Sequence, residues 1–312
     1  MTRSAFIRLA RVALFVTVAV ILWGAVVRAT GSGAGCGSHW PLCNGVAVPL
    51  APRTATIIEY LHRLTSGAAM LLALGLVVGS RLAFPPGHRA RVWAAASFGV
   101  MLIEAGLGAG IVLLRLVENN QSAARAAYIA LHLANTMLLT GVMTGTIWWA
   151  RQPAGPRAPT TRSRGLAFSM VLLVVVAAIG AAVALGDTLF PTGSLREGLS
   201  ADMNPTSHFL IRLRMLHPML AAAAGLILIA QARRDPTFRG LEGESLGTIV
   251  ITLVLLQAGV GVLNLLLLAP LWLQMTHLLG SNLLWIAVVW SYLTGYGGNG
   301  GRAGGLGAEG RR

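Results

Sequence analysis

Charge is what this sequence has least of. Only 11% of its 312 residues are Asp, Glu, Lys or Arg, where a soluble domain carries roughly a quarter. That shortage excludes an ordinary water-soluble globule. Lysine is absent, so all 24 basic side chains are arginines, set against 10 acids. Cysteine is nearly absent too, with Cys36 and Cys43 confined to one stretch, GCGSHWPLCNG. No Arg- and Ser-rich amphipathic segment precedes the first apolar run, which argues against organelle import, and RATGSGAGC after that run offers no obvious processing site. Well inside the apolar runs the ionisable groups are Glu104 and the histidines of one leaflet. They form no continuous relay, which counts against a transporter.

Long apolar runs are what the sequence has in abundance. It is 55% hydrophobic with a mean hydropathy of +0.71, and about twenty apolar residues cross a bilayer. Spans are predicted at 10–29, 58–80, 92–114, 126–149, 166–186, 209–231, 246–268 and 271–294. The fold class is therefore all-α and polytopic, with eight transmembrane helices.

The net charge of +14 would suggest nucleic acid in a soluble protein, but its placement follows topology. Arg3, Arg8 and Arg11 lie around the start of the first span, and Arg81, Arg89 and Arg91 follow the second. Arg151, Arg157, Arg162 and Arg164 follow the fourth, Arg233, Arg234 and Arg239 the sixth, and Arg302, Arg311 and Arg312 end the chain. Most arginines thus share one side, so both termini are expected in the cytoplasm, no nucleic-acid partner is expected, and a bacterial inner membrane is the expected location.

A Pro-, Arg- and Thr-rich linker, 151–165, divides the chain into halves at 1–150 and 166–296, followed by a Gly-rich tail at 297–312 expected to be disordered. The halves echo one another. YLHRLTSGAAM (60–70) matches MLHPMLAAAAG (215–225), EAGLGAG (104–110) matches QAGVGVL (257–263), and GAVVRATG (24–31) weakly matches GAAVALGD (180–187). Four spans per half make this a parallel duplication. Two pseudo-symmetric four-helix bundles are the expected arrangement.

His62, His132, His217 and His277 lie just past the starts of the four even-numbered spans, roughly 6–12 Å deep at helical rise. A single such histidine is readily a hydrogen-bonded packing residue. Four in one layer, paired by the repeat, point to ligation. Zinc would want three or four ligands converging on one ion, often with thiolate or carboxylate help. Two imidazole pairs among small residues suit two flat porphyrins better, although Gly67, Gly106, Gly108, Gly259 and Gly261 also serve close helix packing. His39, His88 and His208 lack the phase and read as surface residues.

The repeat is asymmetric. Glu59, three before His62, stands opposite Arg214; Arg63 stands opposite Pro218. Glu59 shares a helix face with His62 and could move a proton or stabilise positive charge on a substrate; a plain Glu59–Arg63 pair is the alternative. Arg212 and Arg214 read either as propionate partners or as headgroup anchors. Glu104, opposite Gln257, reads as a protonated or hydrogen-bonded structural group rather than a catalytic one. The loop 30–57 reads as a shaped lid rather than a helix. Its Cys36 and Cys43 fit a disulfide on the oxidising face, and no cysteine occurs in the matching loop.

RATGSGAGCGSHWPLCNG followed by IEYLHRLTSG, with single histidines on spans four, six and eight, closely resembles the haem A synthase family over about residues 10–294. The resemblance implies an oxidoreductase that converts the C8 methyl of substrate haem O to a formyl group through successive hydroxylations. It implies Glu59 as catalytic residue, His62 and His132 as substrate-haem ligands with Arg63 in support, and His217 and His277 as ligands of a resident haem b. It further implies a Cys36–Cys43 pair tied to activity or haem transfer, a haem O synthase and terminal-oxidase assembly as partners, and an electron acceptor outside this chain. The rival classes are a non-enzymatic di-haem cytochrome and a haem carrier. Oligomeric state stays open.

Overall fold

A chain crossing hydrocarbon must satisfy every backbone N–H and C=O within itself, so its apolar runs wind into helices. The structure, a computed structural model, describes residues 1–154, 163–234, Phe238 and 246–294. Its helices are α1 (Arg3–Ala29), α2 (Thr54–Ala83), α3 (Arg89–Leu113), α4 (Ala123–Ala150), α5 (Ser163–Leu189), α6 (Leu195–Met203), α7 (Phe209–Arg234), α8 (Leu246–Leu266) and α9 (Leu271–Thr294). All but α6 are long and apolar enough to span a membrane, and among the described residues no strand forms. The protein is a multi-pass, all-helical membrane protein. Large apolar side chains such as Phe15, Leu71, Leu226 and Leu255 point outward, as a lipid-facing surface requires.

The predicted spans fall on the eight long helices, whose ends extend beyond several of them. α1 begins at Arg3 rather than at residue 10, because Thr2 caps it by accepting the Ala5 N–H at 3.2 Å. Residues 54–57 of the expected lid are the first turn of α2. The short helix α6 was not expected from periodicity. Its readable signal is the polar start: Ser194 accepts from Glu197 N at 3.2 Å while Glu197 reaches back to Gly193 N at 3.0 Å. Most of the linker and all of the Gly-rich tail lie outside the described residues.

Neighbouring helices pack as α1 on α2, α2 on α3, α3 on α4 and α4 back on α1. Likewise α5 packs on α7, α7 on α8, α8 on α9 and α9 back on α5. The most buried span is α4, which also meets α5 and α9. Glycine makes these approaches feasible: a Cβ at Gly145 would overlap the Trp93 ring, and one at Gly141 would stand 3.3 Å from Trp285. Trp285 donates its indole N–H to the Met137 carbonyl at 2.6 Å, which gives a buried indole its partner.

At the arginine-rich end, Arg3 Nε donates to the last carbonyl of α4, Ala150, at 2.6 Å. Arg89 and Arg151 lie over Trp149 and Trp290, 4.4 and 5.0 Å from their centroids. His88 corrects the sequence reading. It is 6% exposed, caps α3 by accepting the Ala90 N–H at 3.1 Å, and stacks on Phe84 at 4.4 Å. A turn between two packed helices encloses a ring that its polar neighbours in sequence suggest is solvated.

Candidate functional site

All four phased histidines lie toward the end opposite those arginines, on α2, α4, α7 and α9. Each ring rests on a glycine of the preceding long helix. A Cβ at Gly24 of α1 would stand 3.0 Å from His62 Cε1, and one at Gly180 of α5 would stand 2.8 Å from His217 Cε1. A Cβ at Gly108 of α3 would stand 3.6 Å from His132 Cε1, and one at Gly261 of α8 would stand 3.2 Å from His277 Cε1. Gly24 and Gly180 are repeat equivalents, as are Gly108 and Gly261. The seat is therefore built once and used in both halves.

In every ring Nδ1 is the buried nitrogen, and none makes a well-aligned hydrogen bond. His132 Nδ1 has Glu104 Oε1 at 3.4 Å, and the Val176 backbone lies near the His217 ring. Nε2 is the nitrogen left open. The His217 and His277 centroids are 6.4 Å apart with planes at 79°. Among the described residues no three His, Cys, Asp or Glu side chains gather as a metal cluster. Imidazoles with Nδ1 turned into the protein could hold a porphyrin iron through Nε2.

Glu59 is 3% exposed, and both of its oxygens are engaged. Oε2 accepts the Cys36 N–H at 2.8 Å, and Oε1 accepts from Arg63 Nη2 at 2.5 Å. Arg63 Nη1 donates to the carbonyls of His39 and Leu42 at 2.7 and 2.6 Å. The Glu59–Arg63 pair exists, but it lies under the loop rather than on an open surface. That loop is closed by the Cys36–Cys43 disulfide. Gly35 is required where it meets α2, because a Cβ there would overlap the Ala55 backbone. Thr56 Oγ1 completes the junction by donating to the Gly35 carbonyl at 2.8 Å.

The second half fastens its own loop with opposite charge. Arg214 Nε lies 2.8 Å from Asp187, its Nη1 lies 3.6 Å from Asp202 on α6, and its Nη2 donates to the Gly186 and Phe190 carbonyls at 3.2 and 2.8 Å. Burial pushes the Asp202 carboxyl above its ordinary range, and Arg214 opposes that rise. Arg214 is thus a tether, neither a headgroup anchor nor a free propionate partner. Arg212 is exposed and lines a 520 Å³ cavity with Asp202, Met203, Phe209 and Leu216. His39 is exposed as expected, while His208 is half-buried between Phe190 and Phe209.

Sequence reasoning gave no role to Arg28. From the end of α1 it donates to the Ala184 carbonyl at 2.5 Å, Thr188 Oγ1 at 2.6 Å and Gln274 Oε1 at 2.8 Å, joining α1 to α5 and α9. A lone arginine at the end of an apolar span was the available signal, since such a group must find acceptors.

Eight spans carrying glycine-seated histidine pairs define a multi-pass helical protein built to present imidazole. The chain belongs to the COX15-CtaA family, cytochrome oxidase assembly protein, whose sequence profile matches residues 7–289. It is similar to a protoheme IX farnesyltransferase of Thermus thermophilus, 42% identical over 280 residues that cover 87% of this chain and 45% of that protein. The chain thus spans less than half the length of that relative. A haem A synthase of Exiguobacterium sibiricum is 39% identical over 99 residues, 32% of this chain and 33% of its own. One of Bacillus cereus is 44% identical over 94 residues, 30% of each chain.

Proposed function

We propose that this chain is a haem A synthase of the bacterial cytoplasmic membrane, oxidising the C8 methyl of haem O to a formyl group. The observation that carries the reading is the asymmetry between two halves sharing one histidine–glycine plan. One half sets a carboxylate, Glu59, and a disulfide-closed loop above its histidine; the other sets an arginine held by two aspartates. Equivalent ligand sites with unlike surroundings suit one half to chemistry and the other to electron transfer. The names of the matched haem A synthases support the same reading.

In this scheme His62 and His132 hold the substrate haem, and His217 and His277 hold haem b, which supplies one-electron transfer when bound. Each of the two oxidations, methyl to hydroxymethyl and hydroxymethyl to geminal diol, takes one oxygen from water and releases two protons and two electrons. The electrons leave to an acceptor outside this chain, and the diol then loses water to give the formyl group. Glu59 lies one turn from His62 on the same helix face. There it supplies negative charge that stabilises developing positive charge or takes a proton. Arg63 holds that carboxylate in place and ties it to the loop. Both termini are cytoplasmic, so the sites and the disulfide lie in the outer half of the membrane. The Thermus relative, named as a farnesyltransferase, supports an association with the enzyme that makes haem O.

The test is co-expression with a haem O producer, followed by chromatography of extracted haem. The parent protein is expected to yield haem A. Glu59→Ala is expected to accumulate haem O or its hydroxylated form while retaining haem b. Normal haem A from Glu59→Ala would remove that residue from the chemistry. Haem b in both halves of the parent with no formyl product would favour a di-haem cytochrome, and release of unaltered haem O would favour a carrier.

A further inference from the structure

Glu104 sits within α3, where an ionised side chain costs roughly 2.5–3.5 kcal/mol on insertion scales. Asn135 Nδ2 donates to its Oε2 at 2.6 Å, and Thr136 Oγ1 donates to its Oε1. Asn135 also donates to the Val100 carbonyl at 3.1 Å, which fixes the amide. Both residues lie within one turn of His132 on α4, and Glu104 Oε1 stands 3.4 Å from His132 Nδ1.

The repeat supplies the comparison. Gln257 occupies the matching place on α8 but turns to the backbone, donating to the His277 carbonyl at 2.9 Å. Gly280 stands where α4 has Asn135, and a Cβ there would overlap Gln257 Oε1. The architecture is therefore satisfied by a neutral amide. In the second half that amide meets the histidine's main chain, whereas Glu104 addresses the ring itself.

We propose that Glu104 is a positioning residue for His132: its carboxylate, gripped by Asn135 and Thr136, orients the Nδ1 edge of the ring and makes Nε2 a more electron-donating iron ligand than its counterpart, His277. Carboxylate contact with the far nitrogen of a metal-bound imidazole fixes its tautomer and raises its basicity, and a stronger donor stabilises ferric iron. The two pigments are thereby set at different potentials by residues of α3 and α4. This rests on the reading of His132 and His277 as haem ligands.

The experiment is redox titration of the full chain purified with haem b in the second half and supplied with haem O for the first. Each half is read in a background lacking the other histidine pair, His217→Ala with His277→Ala or His62→Ala with His132→Ala. Glu104→Gln is expected to move the first-half midpoint potential positive and to leave the second-half potential unchanged. Retained pigment at an unchanged first-half potential would overturn the proposal, as would equal shifts in both halves. Should Glu104→Gln lose first-half pigment, Glu104→Asp decides: pigment with a positive shift supports the role, and pigment at the parental potential overturns it. Loss of pigment from both halves in both variants marks a folding role and also overturns it. Pigment surviving removal of all four histidines would instead refute ligation itself.

Discussion

Glu59 and Arg214 stand at one place in the duplicated plan, three residues before His62 and His217, and each fastens the polar loop of its own half. Glu59 does so through the Cys36 amide at 2.8 Å; Arg214 does so through Asp202 and the Phe190 carbonyl. The same lever is worked by opposite charges. Arg214→Met leaves Asp202 without its cation and Asp187 with Arg28 alone, and breaking such a buried pair costs about 3–5 kcal/mol. Thermal unfolding in detergent is expected to fall accordingly, with partial recovery when Asp187→Asn and Asp202→Asn are added. No change in Arg214→Met would mean that the pairs contribute nothing to the fold.

The first loop can be probed separately. Glu59→Gln keeps an acceptor for the Cys36 N–H and loses the charge that Arg63 meets, whereas Glu59→Ala loses both. Proteolysis within 30–53 is expected to rise in Glu59→Ala and much less in Glu59→Gln. Equal cleavage would show that the amide contact does not hold the loop.

Closure of the short Cys36–Cys43 ring limits the loop's freedom by about 2–3 kcal/mol on a chain-entropy account. Replacing both cysteines by serine is expected to expose the same 30–53 segment to protease while the eight spans remain folded. Unaltered cleavage would show that Arg63 and Thr56 hold the loop unaided.

The glycine seats give a graded series. With Cβ clearances of 2.8, 3.0, 3.2 and 3.6 Å at Gly180, Gly24, Gly261 and Gly108, alanine is expected to disturb pigment binding in that order. Gly180→Ala should displace the His217 ring and deplete the second-half haem. Gly108→Ala, at ordinary contact distance, should leave the visible spectrum near that of the parent. An order unrelated to clearance would show that the rings are oriented by something else.

Trp285 is a separate test of packing. Trp285→Phe removes the bond to the Met137 carbonyl, a loss of about 1 kcal/mol, whereas Trp285→Ala also opens a cavity against α4 and is expected to cost about 3–5 kcal/mol. Comparing the two melting temperatures separates indole hydrogen bonding from volume.

The spans were legible because hydropathy survives averaging over twenty residues, and the histidine layer because its phase repeats. Which small residue meets which ring was not legible, since it depends on helix rotation. Gly106, Gly108, Gly259 and Gly261 look alike in sequence, yet only Gly108 and Gly261 face imidazoles, while Gly106 and Gly259 meet nothing within 4 Å. His88 was misread because its burial comes from Phe84 and the end of α4 rather than from an apolar stretch of its own. Glu59 and Arg63 were legible as a pair by spacing. Their partners in the loop were not, because main-chain donors and acceptors carry no sequence signature.

Arg28 and Trp285 pin the same two sets of helices together at different depths, one near the polar loops and one well inside the spans. Groups held on either side of that doubly pinned seam cannot drift apart when a loop lifts. On the proposed reading, an electron passing between two bound haems would cross a gap set by this helix packing rather than by the loop above Glu59.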